Sequence, residues 1–138
     1  MAELSWKFRF ALMKHDWKLL GEYFKENTRI MNKIMKYAGF EFGIGLINNI
    51  LIKLIEENSN VYAAKLTGAG NGGSVFVLVN PDNVGSVIIY WKSKLDEIKR
   101  NKEIFVSKFP SYPMEKVKRL ENVKFYQVSI DINGVKKI

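Results

Sequence analysis

A chain of 138 residues, 47% hydrophobic and 26% charged, has the size and balance of one folded soluble domain, with no room for a second complete one. It contains no cysteine and a single histidine, His15, which excludes disulfides, thiolate nucleophiles and metal clusters built from cysteine or histidine. The formal charge of +8 favours anionic partners such as nucleic acid, acidic lipid or phosphorylated metabolites, but the late basic residues, among them Lys99, Lys108, Lys116, Arg119 and Lys136, are interspersed with Glu and apolar residues and read first as a solvated surface.

Residues 4–13 alternate apolar and polar, Leu4, Trp6, Phe8, Phe10 and Leu12 against Ser5, Lys7, Arg9 and Ala11, and that period by itself predicts a strand. Lys7, Arg9, Lys14 and His15 break any resemblance to a signal peptide. Asp16 is placed to cap a helix whose apolar stripe runs through Leu20, Tyr23, Phe24, Met31, Ile34 and Met35 and stops near Gly39. A second helical stripe, Leu46, Ile47, Ile50, Leu51, Leu54 and Ile55, is opposed by Asn48, Asn49, Lys53 and Glu56. Residues 42–55 form the longest apolar stretch, which is too short to span a bilayer. A soluble, cytoplasmic protein is expected.

The pattern then changes to two strands, residues 61–67 and 74–79, around a loop with four glycines. Asn80, Pro81 and Asp82 lead into another helix carrying Val87, Tyr90, Trp91, Leu95 and Ile98. Beyond it, residues 104–109 read as a strand, 110–113 as a turn into a short helix through Leu120, and 125–132 and 135–138 as closing strands. Helices and antiparallel strands sharing one core make the class α+β.

The loop carries Gly68, Gly70 and Gly73 in the spacing GxGxxG. A dinucleotide fingerprint needs a helix after the loop, and Ser74, Val75, Phe76 and Val77 are strand formers. A protein-kinase loop needs HRD and DFG elements that are missing, and a Walker loop needs Lys where Ser74 stands. Two readings remain. The glycines turn a hairpin, or, being more numerous than turning requires, they let backbone N–H groups approach an anion.

The whole string Ala63-Ala64-Lys65-Leu66-Thr67-Gly68-Ala69-Gly70-Asn71-Gly72-Gly73-Ser74-Val75-Phe76 resembles the third conserved motif of the GHMP kinases, the superfamily of galactokinase, homoserine kinase, mevalonate kinase and phosphomevalonate kinase. The turn at His15-Asp16 with Leu20-Gly21 is similar to that family's Gly-Asp turn and following helix, with His15 standing where glycine is usual. Tyr37-Ala38-Gly39-Phe40, the 46–55 stripe and residues 128–135 extend the likeness over most of the chain. The resemblance implies a C-terminal GHMP kinase domain over residues 1–138, a ferredoxin-like two-layer sandwich with helices packed on one face of an antiparallel sheet, and a helix rather than a strand at 4–13.

It further implies a kinase half that transfers the γ-phosphate of ATP to a hydroxyl, with the sugar-kinase branch suggested by Gly39-Phe40 and the ending at Gly134. Gly68, Ala69, Gly70, Asn71, Gly72, Gly73 and Ser74 would form the phosphate or substrate loop, with Lys65 and Thr67 in support. The family's serine-rich phosphate loop has no counterpart here; Gly43-Ile44-Gly45-Leu46 lacks the serines and reads as a helix start. No catalytic or metal-binding residue is therefore assigned. ATP and Mg2+ are expected in the complete enzyme only, with an N-terminal GHMP kinase domain and a small-molecule acceptor as partners. Self-association through the exposed interdomain face is also expected, and neither membrane nor nucleic acid is. The alternative is a stand-alone binding or regulatory module without kinase activity.

Overall fold

The computed structural model describes residues 2–128. α1 (Ala2–Met13) and α2 (Trp17–Tyr37) are joined by a tight turn in which His15 adopts a left-handed φ of 54°. Asp16 caps α2 by accepting from the Leu19 N–H at 3.0 Å. The helix at α1 agrees with the family resemblance and overrides the alternation. Leu4, Phe8 and Ala11 face the core at helical spacing, and Trp6, Phe10 and Met13 form a second apolar stripe turned outwards, so two helical stripes together mimic a period of two.

α3 (Leu46–Glu56) buries Ile50, Leu51, Leu54 and Ile55 as its stripe predicts. β1 (Val61–Thr67) and β2 (Ser74–Val79) pair antiparallel with Thr67 opposite Ser74. Both faces of this hairpin are apolar, so each needs a cover. Ala63 and Leu78 pack with Ala11, Leu20 and Phe24 of α1 and α2, while Ala64, Leu66, Val75 and Val77 pack with α3 and with α4 (Val84–Arg100). The α+β class and the antiparallel sheet are as expected; the helical layer expected on one face is α1 with α2, and α3 with α4 add a second on the other. α2 comes so close to β1 at Gly21 that a Cβ there would collide with the Tyr62 carbonyl oxygen.

α4 starts after a 3-10 turn (Pro81–Asn83) whose cap, Asn80, accepts from the Asp82 N–H. Its Trp91 is buried and donates from Nε1 to the Leu51 carbonyl at 3.0 Å, which locks α4 to α3. The strand expected at 104–109 is instead α5 (Lys102–Lys108). Asn101 accepts from the amides of Glu103 and Ile104, and the cap sets a helical course that sends Phe105 and Phe109, four residues apart, into the core. A 3-10 segment (Met114–Asn122) buries Leu120, in line with the short helix expected there. Residues 125–128 lie in no strand, although Phe125 packs edge-on against Trp91; the rest of the closing strands expected at 125–132 and 135–138 lies outside the described residues. No helix among the described residues is long and apolar enough to cross a membrane.

Candidate functional site

Between the strand ends the chain passes through Gly68, Gly70, Asn71, Gly72 and Gly73 with φ of 92°, 95°, 60°, 154° and 84°. A run of positive φ is open only to glycine and, at one position, asparagine. The loop is therefore wider than a two-residue hairpin turn, and its glycines serve that wider path. Among the described residues the amides of Gly68, Ala69, Gly70, Gly72 and Gly73 donate to no turn or loop carbonyl, and the loop is exposed apart from half-buried Gly70. Successive unpaired N–H groups on a curved backbone make a concavity suited to an anion.

The loop is pinned from below by the turn at 42–45. The Asn71 N–H donates to the Ile44 carbonyl at 2.8 Å, and the Asn48 amide nitrogen donates both to the Ile44 carbonyl at 2.9 Å and to the Gly72 carbonyl at 3.0 Å. Gly70 lies against Ile44, where a Cβ would stand 3.4 Å from its backbone. The turn is itself held from two helices. Asn32 of α2 accepts the Ile44 N–H, Asn32 and Asn49 exchange a reciprocal pair of amide hydrogen bonds at 2.8 and 2.9 Å, and Asn49 donates to the Phe42 carbonyl. An unbroken chain of hydrogen bonds thus runs from α2 through α3 to the glycine loop.

A cleft of about 210 Å3 opens beside the loop, walled by Gly45, Asn48, Asn71 and Gly72 on one side and by Lys116 and Arg119 on the other. Lys116 Nζ sits 4.4 Å over the Phe42 ring, which orients the ammonium in the cleft wall. Of the residues singled out in the sequence, the structure brings Asn71 and Gly72 to this cleft. Gly68, Ala69, Gly70 and Gly73 do not line it, and Thr67 and Ser74 close the hairpin opposite each other. Lys65 pairs across from Phe76 and is half-buried, away from the cleft. Asn48, Lys116 and Arg119 were not anticipated. Asn48 had the place of a solvated helix face and is 4% exposed, and the two cations had been counted among the surface charges.

At the cleft the Gly72 amide, the Asn71 side chain and two cations match the oxygens of a phosphate, the Asn71 N–H being already bonded to Ile44. They do not match a magnesium ion, since no group of three or more His, Asp or Glu among the described residues could hold a metal. Residues 9–97, more than half of the chain, match the family model described as GHMP kinases C terminal. The chain belongs to that family. The match takes in the glycine loop and its supporting turn and ends before Lys116 and Arg119. Comparisons with curated proteins and with solved structures returned no match.

Proposed function

We propose that the chain is the C-terminal half of an ATP-dependent small-molecule kinase and contributes the loop of Gly68 to Ser74 to a phosphate site shared with an N-terminal half. The observation that carries this reading is the exposed, hydrogen-bond-anchored amide loop in a chain of this family. Phosphoryl transfer is catalysed mainly by positioning and by neutralising developing charge, so amides and cations contribute without a reactive side chain. In this reading Asn71 and Gly72 face the phosphate, Lys116 and Arg119 balance its charge, and Asn48 keeps the loop in place. The general base, the magnesium ligands and most of the ATP contacts belong to the N-terminal half, on the same or a separate polypeptide. The acceptor is the hydroxyl of a sugar or a related metabolite. The outer stripe of α1, with Trp6, Phe10 and Met13 each more than half exposed, is the apolar surface against which the second half, or a second copy, would pack.

The test is reconstitution. The chain is combined with an N-terminal GHMP kinase domain carrying the serine-rich loop, and phosphate transfer from ATP to a panel of sugars is followed. Activity that needs both parts and is lost in Gly70→Val supports the proposal; activity indifferent to Gly70 sinks it. The isolated chain should bind ATP with magnesium only weakly, and submicromolar affinity would contradict the assignment of the phosphate loop to the other half. One observation favours the second reading, a stand-alone anion-binding module: the cleft with Lys116 and Arg119 is formed within this chain alone. A natural gene product of this mass, monomeric and with no partner bearing the serine-rich loop, would decide for it.

A further inference from the structure

A second groove, of about 550 Å3, shares no lining residue with the glycine-loop cleft. Its walls are two helical stripes. Lys25, Thr28, Arg29, Asn32 and Lys36 recur along one face of α2, and Asn49, Lys53 and Glu56 along one face of α3, with the 108–112 turn closing the end. Five cations therefore line it against one carboxylate, Glu56.

Three of the five have partners. Arg29 pairs with Glu26 at 2.6 Å, Lys108 with Glu57 at 3.0 Å, and Lys53 donates to the Lys108 carbonyl while lying 5.2 Å over Phe109. Lys25 and Lys36 make no ion pair among the described residues. Lys25 does act on the groove's one carboxylate, opposing the rise in the Glu56 pKa, and the lining still holds more cations than carboxylates. Thr28 adds an independent sign: its Oγ1 is buried with no hydrogen-bond partner, a state that native proteins seldom leave unsatisfied. Tyr112 stacks on Phe109 with centroids 5.5 Å apart and planes 8° apart, giving the groove a flat aromatic end.

We propose that this groove binds a small organic anion carrying two or more negative charges, of the phosphorylated-metabolite class, at a site separate from the glycine loop. Its volume falls in the range of small-ligand pockets, about 300–1,000 Å3, and its floor of Ile52 and Phe109 beneath a cationic rim suits a compact ligand with a non-polar face. Lys25 and Lys36 hold the charge, Thr28 supplies a hydroxyl, and the Phe109 and Tyr112 pair supports a ring.

The test is a titration of the full chain, isotope-labelled for amide NMR, with inorganic pyrophosphate at constant ionic strength. Saturating shifts are expected at Thr28, Asn32, Lys53 and Tyr112. The paired substitution Lys25→Gln and Lys36→Gln should weaken the apparent affinity about tenfold or more. Thr28→Val, which keeps the shape, should also weaken it, whereas Lys116→Gln with Arg119→Gln should leave these shifts unchanged. The amide spectra themselves report that each variant is folded. Shifts that never saturate, that persist in the Lys25 and Lys36 variant, or that centre on residues 68–74 would overturn the proposal. Tighter binding of a single-stranded RNA than of pyrophosphate at the same residues would overturn the small-ligand assignment.

Discussion

Asn48 is the residue through which α3 holds the glycine loop, and two substitutions there separate support from mere occupancy. Asn48→Ala removes the bonds to the Ile44 and Gly72 carbonyls. Ile44 keeps its bond from the Asn71 N–H, and Gly72 is exposed to water, so no buried acceptor is orphaned. The loss is then two hydrogen bonds and a small void, about 1–3 kcal/mol, or roughly 3–10 °C in the melting temperature of a chain this size. Asn48→Asp keeps the shape but turns a carboxylate oxygen towards the same two carbonyls in a buried position, and should cost more, about 3–5 kcal/mol near neutral pH. Burial raises the folded pKa of that introduced carboxyl above its unfolded value of about 4. The extra penalty is therefore absent below the unfolded pKa, where the protonated group can donate, and complete above the folded one, so the two variants should converge as the pH falls. Thermal unfolding followed by circular dichroism across pH reads the stabilities, and hydrogen exchange at residues 70–73 reads the loop. An Asp variant no less stable than the Ala variant near neutral pH, or loop exchange unchanged in both, would refute the anchoring role.

Gly21→Ala should destabilise by about 2–3 kcal/mol, because the new methyl meets the Tyr62 carbonyl oxygen of β1 and neither backbone yields easily. That loss exceeds the gain of about 1 kcal/mol in helix propensity, and a higher urea midpoint would sink the argument. At His15 the left-handed φ of 54° makes a β-branched replacement costly. His15→Val should lose about 1–2 kcal/mol, while His15→Gly should stay close to the parent; equal urea midpoints for the two variants would show that the turn relaxes. Burial pushes the Glu56 carboxyl above its usual range, with Lys25 partly opposing the shift. Stability tied to that group is complete below the unfolded pKa and falls as the pH rises through the folded one, so Glu56→Gln should stabilise near neutral pH and lose its advantage below about pH 4. A difference between the melting curves that does not change with pH would contradict it.

Much of the fold can be read locally because its signals are local. Asp16 caps the helix it was placed to cap, Asn80, Pro81 and Asp82 turn the chain into α4, the α3 and α4 stripes bury most of the expected residues, and the strand formers around the glycines pair as a hairpin. The failures have physical causes. The alternation at 4–13 is the sum of two opposed helical stripes, one facing the core and one facing out. Residues 104–109 contain Ile104, Phe105 and Val106, which favour strands by type, yet the Asn101 cap and the spacing of Phe105 and Phe109 outweigh that preference. His15 departs from the glycine usual in the resembling family, and its φ shows why glycine is usual there.

The site divides in the same way. The glycine string is legible because positive φ writes itself into composition. Its support is not, because the contacts of Ile44 and Asn48 with Gly70, Asn71 and Gly72 join segments separated by a whole helix and strand, and Lys116 and Arg119 arrive from further still. One trace of that support did lie in the sequence. Asn48 and Asn49 follow directly on the first apolar residues of α3, where asparagine competes with the helix for hydrogen bonds and lowers its propensity. A polar side chain buried at 4% exposure is tolerated only with partners, and the nearby chain offers Asn48 one, the Ile44 carbonyl in the turn four residues back. The second partner had to come from elsewhere in the fold, and the structure supplies it at Gly72, inside the loop that the composition had already marked.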